Sequence, residues 1–126
     1  MSDYKPPQSA NEVLIRYRDG ERYFGHSNLD EDACDFRGVN LEEVDFSQSF
    51  IVADFRDANL RLANFTQCNI KTCDFRGANL QNAIFRGALL ESTDFTRSVL
   101  MGADFESASI YSHIMQAGEQ PNGKEQ

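Results

Sequence analysis

Three copies of an Asp-Phe-Arg triplet carry the most regular charged chemistry of this sequence. They are Asp35-Phe36-Arg37, Asp54-Phe55-Arg56 and Asp74-Phe75-Arg76, and Asp94-Phe95-Thr96 follows in the same register. A row of guanidinium groups can bind carboxylate or phosphate groups of a partner, because each planar fork donates two parallel hydrogen bonds. If each Phe points inward, however, the Asp and Arg columns flank each other and neutralise one another in solvent. The triplets are therefore either a docking strip or a self-neutralising surface.

A second acidic cluster consists of Asp30, Glu31 and Asp32, close to Asp35. It interrupts the spacing described below, so we expect a loop there, and loops on rigid scaffolds often carry function. A Ca²⁺ site would need six or more oxygen ligands and a turn glycine that this stretch lacks. The favoured interpretation is a solvated corner or a loop that contacts a partner, and we predict no metal site.

Motifs for catalysis and for cofactor binding are missing from the sequence. Cys34, Cys68 and Cys73 form no Cys-x-x-Cys pair, so neither a metal knuckle nor a thioredoxin-type motif is predicted. No Ser/His/Asp arrangement, phosphate-binding glycine loop or His-Glu-x-x-His stretch is recognisable. Carboxylates are numerous, but we expect them on an exposed surface and not paired in a cleft. We therefore predict a protein without enzymatic activity and without a cofactor.

A five-residue repeat defines the elements that position these side chains. Large apolar residues recur at every fifth position, and Ala, Cys, Thr or Ser precedes each of them by two residues. The large residues are Phe55, Leu60, Phe65, Ile70, Phe75, Leu80, Phe85, Leu90, Phe95, Leu100, Phe105 and Ile110. A helix repeats near 3.6 residues and a strand at two, so neither explains this period. A period of five is explained by a short segment that advances along one wall and then turns. The large residue then lies inside the wall, and the small one lies near the corner.

The order Phe, Leu, Phe, Ile/Leu recurs at a spacing of twenty residues, which predicts coils of four walls. The same order occurs upstream at Phe36, Leu41, Phe46 and Ile51, and Phe24 and Leu29 add half a coil. Two slips occur, one in the long interval from Leu29 to Phe36 and one in the short interval from Ile51 to Phe55. At the second slip we take Ile51, and not Phe50, as the inward residue. Four and a half coils spaced by about 4.8 Å give a rod roughly 20 Å long.

The repeat also follows the pattern A-(D/N)-(L/F)-x-x, as in ADFRDANLRLANF at 53–65 and GANLQNAIFRGALL at 77–90. In this pattern the chain resembles the pentapeptide-repeat family over about residues 22–112. The resemblance implies an all-β solenoid, the right-handed quadrilateral β-helix of that family. The right-handed preference of parallel β crossovers agrees with this handedness. We predict the β-helix for residues 21–112.

The N-terminal region is predicted to form a cap over the first coil. Residues 9–20 have the features of a short helix, because Ser9 and Glu12 are spaced as in a capping box and Gly20 suits a helix C-terminus. Such a cap covers the unpaired backbone at the end of a solenoid, which would otherwise favour aggregation. Residues 1–8 are expected to be a flexible tail.

The repeat fails at the C-terminus, where residues 113–126 are predicted to form a minimal cap and a flexible tail. His113 would occupy a small-residue position, where an imidazole does not fit. Tyr111, Ile114 and Met115 are apolar residues near this open end. They could instead join two rods end to end as a symmetric homodimer.

Several outward positions that elsewhere carry Asp, Asn, Arg or Thr carry apolar residues. They are Phe50, Ile84, Leu89, Val99 and Met101. Single exposed apolar side chains are ordinary. Ile84 and Leu89, however, fall on adjacent walls of one coil and could form a patch for a partner or for a second copy.

The composition limits the kinds of partner that the chain can bind. Its net charge is −8, from 20 acidic and 12 basic residues, which argues against direct binding of nucleic acid or of an anionic membrane. No apolar run is long enough to span a bilayer, and the N-terminus lacks the apolar region of a secretory signal. We therefore expect a cytoplasmic location.

Two functions are compatible with these observations. The first is a non-catalytic scaffold that binds another protein through its walls or its end. The second, implied by the family resemblance, is a DNA mimic that modulates a type II topoisomerase such as DNA gyrase. Duplex DNA would present roughly 12 negative charges over this length. Residues 22–112 contain 14 acidic and 8 basic side chains, a net charge of −6, which is about half of that. The scaffold is therefore the leading hypothesis.

Overall fold

The computed structural model describes residues 3–121, apart from the side chains of residues 31–33. Its elements are α1 (Ala10–Arg18), β1 (Asn28–Asp35), β2 (Phe50–Asp54), β3 (Ser109–Ile110) and β4 (His113–Ile114). Strands β1 and β2 pair in parallel, and β3 and β4 pair antiparallel. Elsewhere, single parallel β-bridges join each coil to the next. The predicted all-β solenoid with a short N-terminal helix is confirmed.

The bridged residues form four columns, and each column marks one wall of the coil. Wall 1 contains Asp54, Asp74 and Asp94; wall 2 contains Asn40, Asn59, Asn79 and Val99; wall 3 contains Asp45, Asn64, Ile84 and Asp104; wall 4 contains Phe50, Asn69, Leu89 and Ser109. Successive members of a column are about one coil apart in the sequence. The four-sided coil predicted from the spacing is therefore present.

Two stacks of phenylalanine rings fill the interior of the rod. On wall 1, the centroids of Phe55 and Phe75 are 5.0 Å apart and the rings are inclined by only 4°. Across the core, Phe75 meets Phe85 of wall 3 edge to face, at 5.8 Å and 90°. Both arrangements are favourable for aromatic quadrupoles and add about 0.5–1.5 kcal/mol per pair to the burial of the rings. The alternation of Phe with Leu or Ile in the sequence therefore produces two aromatic columns and two aliphatic ones.

Apart from the corner that β1 and β2 span, each corner is a tight turn whose third residue has a positive φ. The amide of Ala58 donates to the carbonyl of Phe55 at 3.0 Å, and Asp57 between them has φ 60°. This is the pattern of a type II turn. Non-glycine residues such as Leu62 occupy most of these positions at a cost of about 1–2 kcal/mol each, whereas Gly77 adopts the same conformation without that cost. The hydrogen bonds and the core offset this strain.

The two slips predicted from the repeat lie on the same strand pair. Leu29 pairs with Ile51 and Cys34 with Ala53, so β1 takes the longer path between these partners and bulges. The acidic insertion is therefore a bulge within β1 and not a separate loop. Ile51 is fully buried, whereas Phe50 is 38% exposed, so Ile51 is the inward residue as predicted.

Helix α1 covers the first coil and is capped at both ends. The hydroxyl of Ser9 accepts from the amide of Glu12 at 3.0 Å, as in an N-cap. The amides of Gly20 and Glu21 donate to carbonyls in the last turn, which is the Schellman arrangement. Val13 of this helix is fully buried against the coil. The helix thus shields the lower end of the solenoid. It has nine residues, and no helix within residues 3–121 could cross a membrane.

Residues 3–8, for which the sequence predicts a flexible tail, pack against the first coil. The hydroxyl of Tyr4 donates to the carbonyl of Gly25 at 2.8 Å, and its ring contacts that of Tyr23 at 5.0 Å. Pro7 is buried. This segment is therefore part of the N-terminal cap.

The C-terminal strap, residues 113–121, reverses the direction of the chain over the last coil. The amide of Met115 donates to the carbonyl of Ala108 at 2.8 Å, and the amide of Ser107 donates to the carbonyl of Met115 at 2.9 Å. The side-chain amide of Gln120 then reaches the carbonyl of Leu100 at 2.8 Å. The strap therefore bonds to wall 4, and the Gln120 side chain reaches the corner between walls 2 and 3. Met115 is 3% exposed, so the prediction that it could contact a second rod is wrong. Gln120, which was predicted to lie in a flexible tail at 118–126, thus packs against the last coil, and residues 122–126 lie outside the described residues.

Candidate functional site

The Asp-Phe-Arg triplets form a continuous ladder of ion pairs along wall 1. Arg56 binds Asp54 of its own segment at 2.7 Å and lies 3.6 Å from Asp74 of the next coil. The same arrangement joins Arg37 to Asp35 and Asp54, and Arg76 to Asp74 and Asp94. Each guanidinium thus lies between two carboxylates, so an incoming anion would meet negative charge there. The ladder has the geometry of the self-neutralising surface, and its arginines are not free for docking.

The carboxylates of the ladder are held in their charged form. Hydrogen bonds from the Arg37 side chain lower the pKa of Asp35 to about 2. Bonds from Arg56 and Arg76 likewise lower the pKa of Asp54 and of Asp74. Because these pKa values are lower in the folded chain than in the unfolded chain, the ladder stabilises the fold fully above the unfolded value near 3.8. This contribution is lost as the pH falls through the folded values.

Acid should therefore destabilise the wild-type chain more steeply than a variant with one ladder charge removed. Asp74→Asn retains an oxygen for the turn but loses the charge that binds Arg76. We expect it to be less stable than the wild type at pH 7 and to lose less stability between about pH 4 and pH 2. Urea unfolding at a series of pH values measures this difference. Asp30→Asn, outside the ladder, is the control, and parallel pH curves for wild type and Asp74→Asn would contradict the expectation.

In most segments, the residue that precedes the large inward residue is Asp or Asn, and its side chain binds the following turn. The side-chain oxygen of Asn59 accepts from the amide of Arg61 at 3.2 Å, and that of Asn79 accepts from the amide of Gln81 at 3.0 Å. The same bond is made by Asp35, Asn40, Asp45, Asp54, Asn64, Asn69, Asp74, Asp94 and Asp104. This turn-bonding position explains the preference of the repeat for Asp and Asn.

Besides Tyr23, whose ring packs against that of Tyr4, four apolar residues occupy turn-bonding positions and cannot make this bond. Phe50, Ile84 and Leu89 are 38%, 36% and 38% exposed, and Val99 is 47% exposed. Each therefore forgoes a hydrogen bond worth about 0.5–1.5 kcal/mol and presents an apolar side chain to solvent. Departures from a local rule of the fold concentrate at functional surfaces. These positions are the strongest candidates for binding.

Ile84 and Leu89 are exposed apolar residues on adjacent walls of one coil, and we call this pair the apolar patch. Ile84 lies between Asn64 and Asp104 on wall 3, and Leu89 lies between Asn69 and Ser109 on wall 4. The patch, defined as Ile84 and Leu89, is thus bordered by polar residues in the coils below and above. Phe50 lies on wall 4 but is separated from Leu89 by Asn69, so it is not part of the patch.

The acidic bulge and the cysteines form no metal-binding cluster within the described residues. Asp30 is exposed, and the structure does not describe the side chains of Glu31 and Asp32. No group of three or more His, Cys, Asp or Glu that could hold a metal ion occurs in the described part of the chain. Burial raises the pKa of the Cys68 and Cys73 thiols to about 12, so both are protonated at neutral pH. Inside the core, the Cys68 thiol donates to the carbonyl of Phe46 at 2.9 Å and the Cys73 thiol donates to the carbonyl of Ile51 at 3.2 Å.

Two sets of ion pairs between coils were not predicted from the sequence. Arg61 binds Glu42 at 2.5 Å on wall 2, and Arg86 binds Asp104 at 2.6 Å and Glu106 at 3.1 Å on wall 3. The partners occupy neighbouring coils. Opposite charges about twenty residues apart in the sequence could therefore have predicted these pairs. These pairs neutralise charge on walls that would have to be uniformly acidic in a mimic of DNA.

Comparison with known sequences identifies one family. A family model described as pentapeptide repeat region matches residues 32–112. No curated protein sequence matches the chain significantly.

Solved structures of several repeat proteins are similar to this chain. The pentapeptide repeat protein alr5209 from Nostoc is 30% identical, with 83% of this chain and 82% of that chain covered and a TM-score of 0.46. A pentapeptide repeat protein from the thylakoid lumen of Arabidopsis thaliana is 21% identical, with 77% and 66% covered and a TM-score of 0.66. QnrB1, a plasmid-mediated fluoroquinolone resistance protein, is 26% identical, with a TM-score of 0.55. The alignment covers 70% of this chain but only 42% of QnrB1.

Proposed function

The chain belongs to the pentapeptide-repeat family, and on that premise we propose that it is a non-catalytic scaffold that binds another protein through the apolar patch. The observation that carries the proposal is the replacement of turn-bonding Asp or Asn by Ile84 and Leu89 on adjacent walls. A rigid rod holds these two side chains at fixed positions, so little conformational entropy is lost when a partner covers them. The surrounding polar side chains provide a rim of hydrogen-bonding groups.

Affinity capture with matched variants tests this proposal. Tagged wild-type protein, the double variant Ile84→Asn/Leu89→Asn and the control Gln81→Ala are each incubated with a lysate of the source cell. We expect the wild type and the control to retain the same protein in near-stoichiometric amounts, and the double variant to retain at least about tenfold less. Asn is the residue that the repeat itself uses at these positions, so the double variant should keep the fold. Equal capture by all three proteins, or no capture by any, would refute the proposal.

The similarity to QnrB1 supports a second candidate, a modulator of DNA gyrase that mimics DNA. The charge distribution argues against it, because arginines on walls 1, 2 and 3 neutralise the carboxylates there. A supercoiling assay with gyrase distinguishes the two functions. The scaffold function predicts no inhibition and no protection from quinolones at stoichiometric amounts, whereas dose-dependent inhibition or protection would favour the mimic.

A further inference from the structure

Wall 4 differs from the other three walls in its outward side chains. Ion pairs join neighbouring coils on walls 1, 2 and 3, whereas none joins the coils on wall 4 within the described residues. Phe50, Val52 and Leu89 face outward on wall 4 and are exposed or half-buried. On this wall, an apolar face thus takes the place of paired charges.

Lys71 lies in the middle of this face with an exposed side chain. It follows the bridged residue of its coil by two positions, as Val52 follows Phe50, so both side chains project from the outer side of the wall. Within the described residues, the Lys71 ammonium makes no ion pair or hydrogen bond. The carboxylate in the coil above, that of Glu91, accepts from a backbone amide at 2.7 Å instead. The charge of Lys71 is therefore available to a carboxylate of a partner.

The spacing along wall 4 fits one face of an α-helix. Phe50 and Leu89 occupy the same column two coils apart, which is about 10 Å at the usual distance between strands. Helix residues seven positions apart share a face and lie about 10.5 Å apart. Residues on one face of a strand advance in steps of about 7 Å and do not match this distance. A helix along the rod can therefore place one apolar residue on Phe50 and another on Leu89, with Lys71 beside its middle.

We propose that wall 4 binds an amphipathic helix of the partner protein, lying along the axis of the rod. The helix contacts the wall 4 strip, defined as Phe50, Val52, Lys71 and Leu89, and carries an Asp or Glu beside its apolar face for the Lys71 ammonium. A helix of about 14 residues is as long as the rod. Because the chain has a net charge of −8, the rest of the helix should be neutral or basic. Leu89 belongs to both surfaces, so this interface rests on the proposed function.

Selection of peptides against the purified full-length chain tests this interface. The probe is a displayed library of random peptides of about 14 residues, and enriched peptides are synthesised with a fluorophore for anisotropy titration. We expect large apolar residues at positions i, i+3 or i+4 and i+7, with one carboxylate beside them. The peptides should also gain helical circular dichroism when they bind.

Variants on and off the wall 4 strip locate the binding site. Phe50→Asn introduces the residue that Asn69 provides one coil above, and should raise the dissociation constant of the peptide at least about tenfold. Leu62→Asn is the matched control, because Leu62 is 37% exposed at a corner away from wall 4 and Asn82 occupies the same position one coil above. The control should bind the peptide like the wild type.

Charge reversal tests the contact of Lys71. Lys71→Glu should weaken binding at least about threefold, because it places like charges opposite each other. Replacing the carboxylate of the peptide by Lys should restore the affinity for this variant. A purely structural role of Lys71 would not produce this rescue.

Failure of the helix interface is distinguishable from failure of the proposed function. Phe50→Asn and Lys71→Glu leave the apolar patch intact, so a peptide that binds both variants as tightly as the wild type overturns the helix interface alone. Enrichment of peptides without a helical period, or of no peptide, also overturns it. Lysate capture by the double variant Ile84→Asn/Leu89→Asn decides the proposed function separately.

Discussion

Replacing Phe75 by alanine is expected to lower the free energy of unfolding by about 3–5 kcal/mol. The ring is fully buried and stacks between Phe55 and Phe95, with centroids 5.0 and 5.2 Å away. It also meets Phe65 and Phe85 edge to face, at 5.6 and 5.8 Å. The backbone ladder holds the coils above and below at a fixed spacing, so the cavity left by the ring cannot collapse. We therefore expect a cost near the upper end of this range.

Urea unfolding followed by circular dichroism measures this change. Phe50→Ala is the matched control, because Phe50 is 38% exposed on the outside of wall 4. Its loss should cost less than about 1.5 kcal/mol. Comparable costs for the two variants would mean that the aromatic column does not hold the rod together.

The second large effect is expected for Ala83→Leu, which should destabilise the chain by at least about 1–3 kcal/mol. Ala83 is fully buried at a corner, in the same column as the buried Ala63 and Ala103. Its amide donates to the carbonyl of Leu80 at 3.0 Å, so the backbone cannot move outward without breaking the turn. Three added carbon atoms therefore have to displace side chains of the core.

Gln81→Leu is the control for this prediction, because Gln81 projects from wall 2 in the same coil. Within the described residues, the Gln81 side chain makes one hydrogen bond, from its amide nitrogen to the sulfur of Met101 at 3.9 Å. We expect a change within about 0.5 kcal/mol. Thermal or urea unfolding of both variants compares them directly, and equal effects would show that the inward register is wrong.

The regular part of the fold was predictable because one geometric rule acts on every coil. Small residues predominate at the corners, although Val44 also fits at one, and large residues fill the walls. Ala83 and Phe85 are therefore recognisable from their spacing alone. The same rule predicted that Ile51 points inward at the four-residue slip. The ion pairs of wall 1 also followed, since Asp54 and Arg56 flank one inward residue.

The two ends could not be predicted in the same way, because no repeat acts on them. The hydroxyl of Tyr4 binds the carbonyl of Gly25, a contact between residues 21 positions apart that no period indicates. At the other end, the strap turns back because His113 cannot enter the core, but its path depends on Met115 and Gln120. Met115 was predicted to be available for a dimer and is instead buried against its own coil. Such contacts depend on tertiary packing and not on local spacing.

The two apolar residues of the patch are recognisable in the sequence, but their role in binding can be inferred only from the hydrogen bonds made at the turn-bonding position. Once Asn59 and Asn79 are seen to bind their turns, Ile84 and Leu89 become exceptions to a structural rule. The central claim is that these two residues serve binding and are not required for the fold.

Urea unfolding of the purified double variant Ile84→Asn/Leu89→Asn tests this claim most directly. Asparagine restores two turn bonds of about 0.5–1.5 kcal/mol each, which should offset the lost apolar contacts of two partly exposed side chains. We predict a free energy of unfolding that equals the wild-type value within about 0.5 kcal/mol or exceeds it. A fall of more than about 2 kcal/mol would assign both residues to the stability of the rod and contradict the claim.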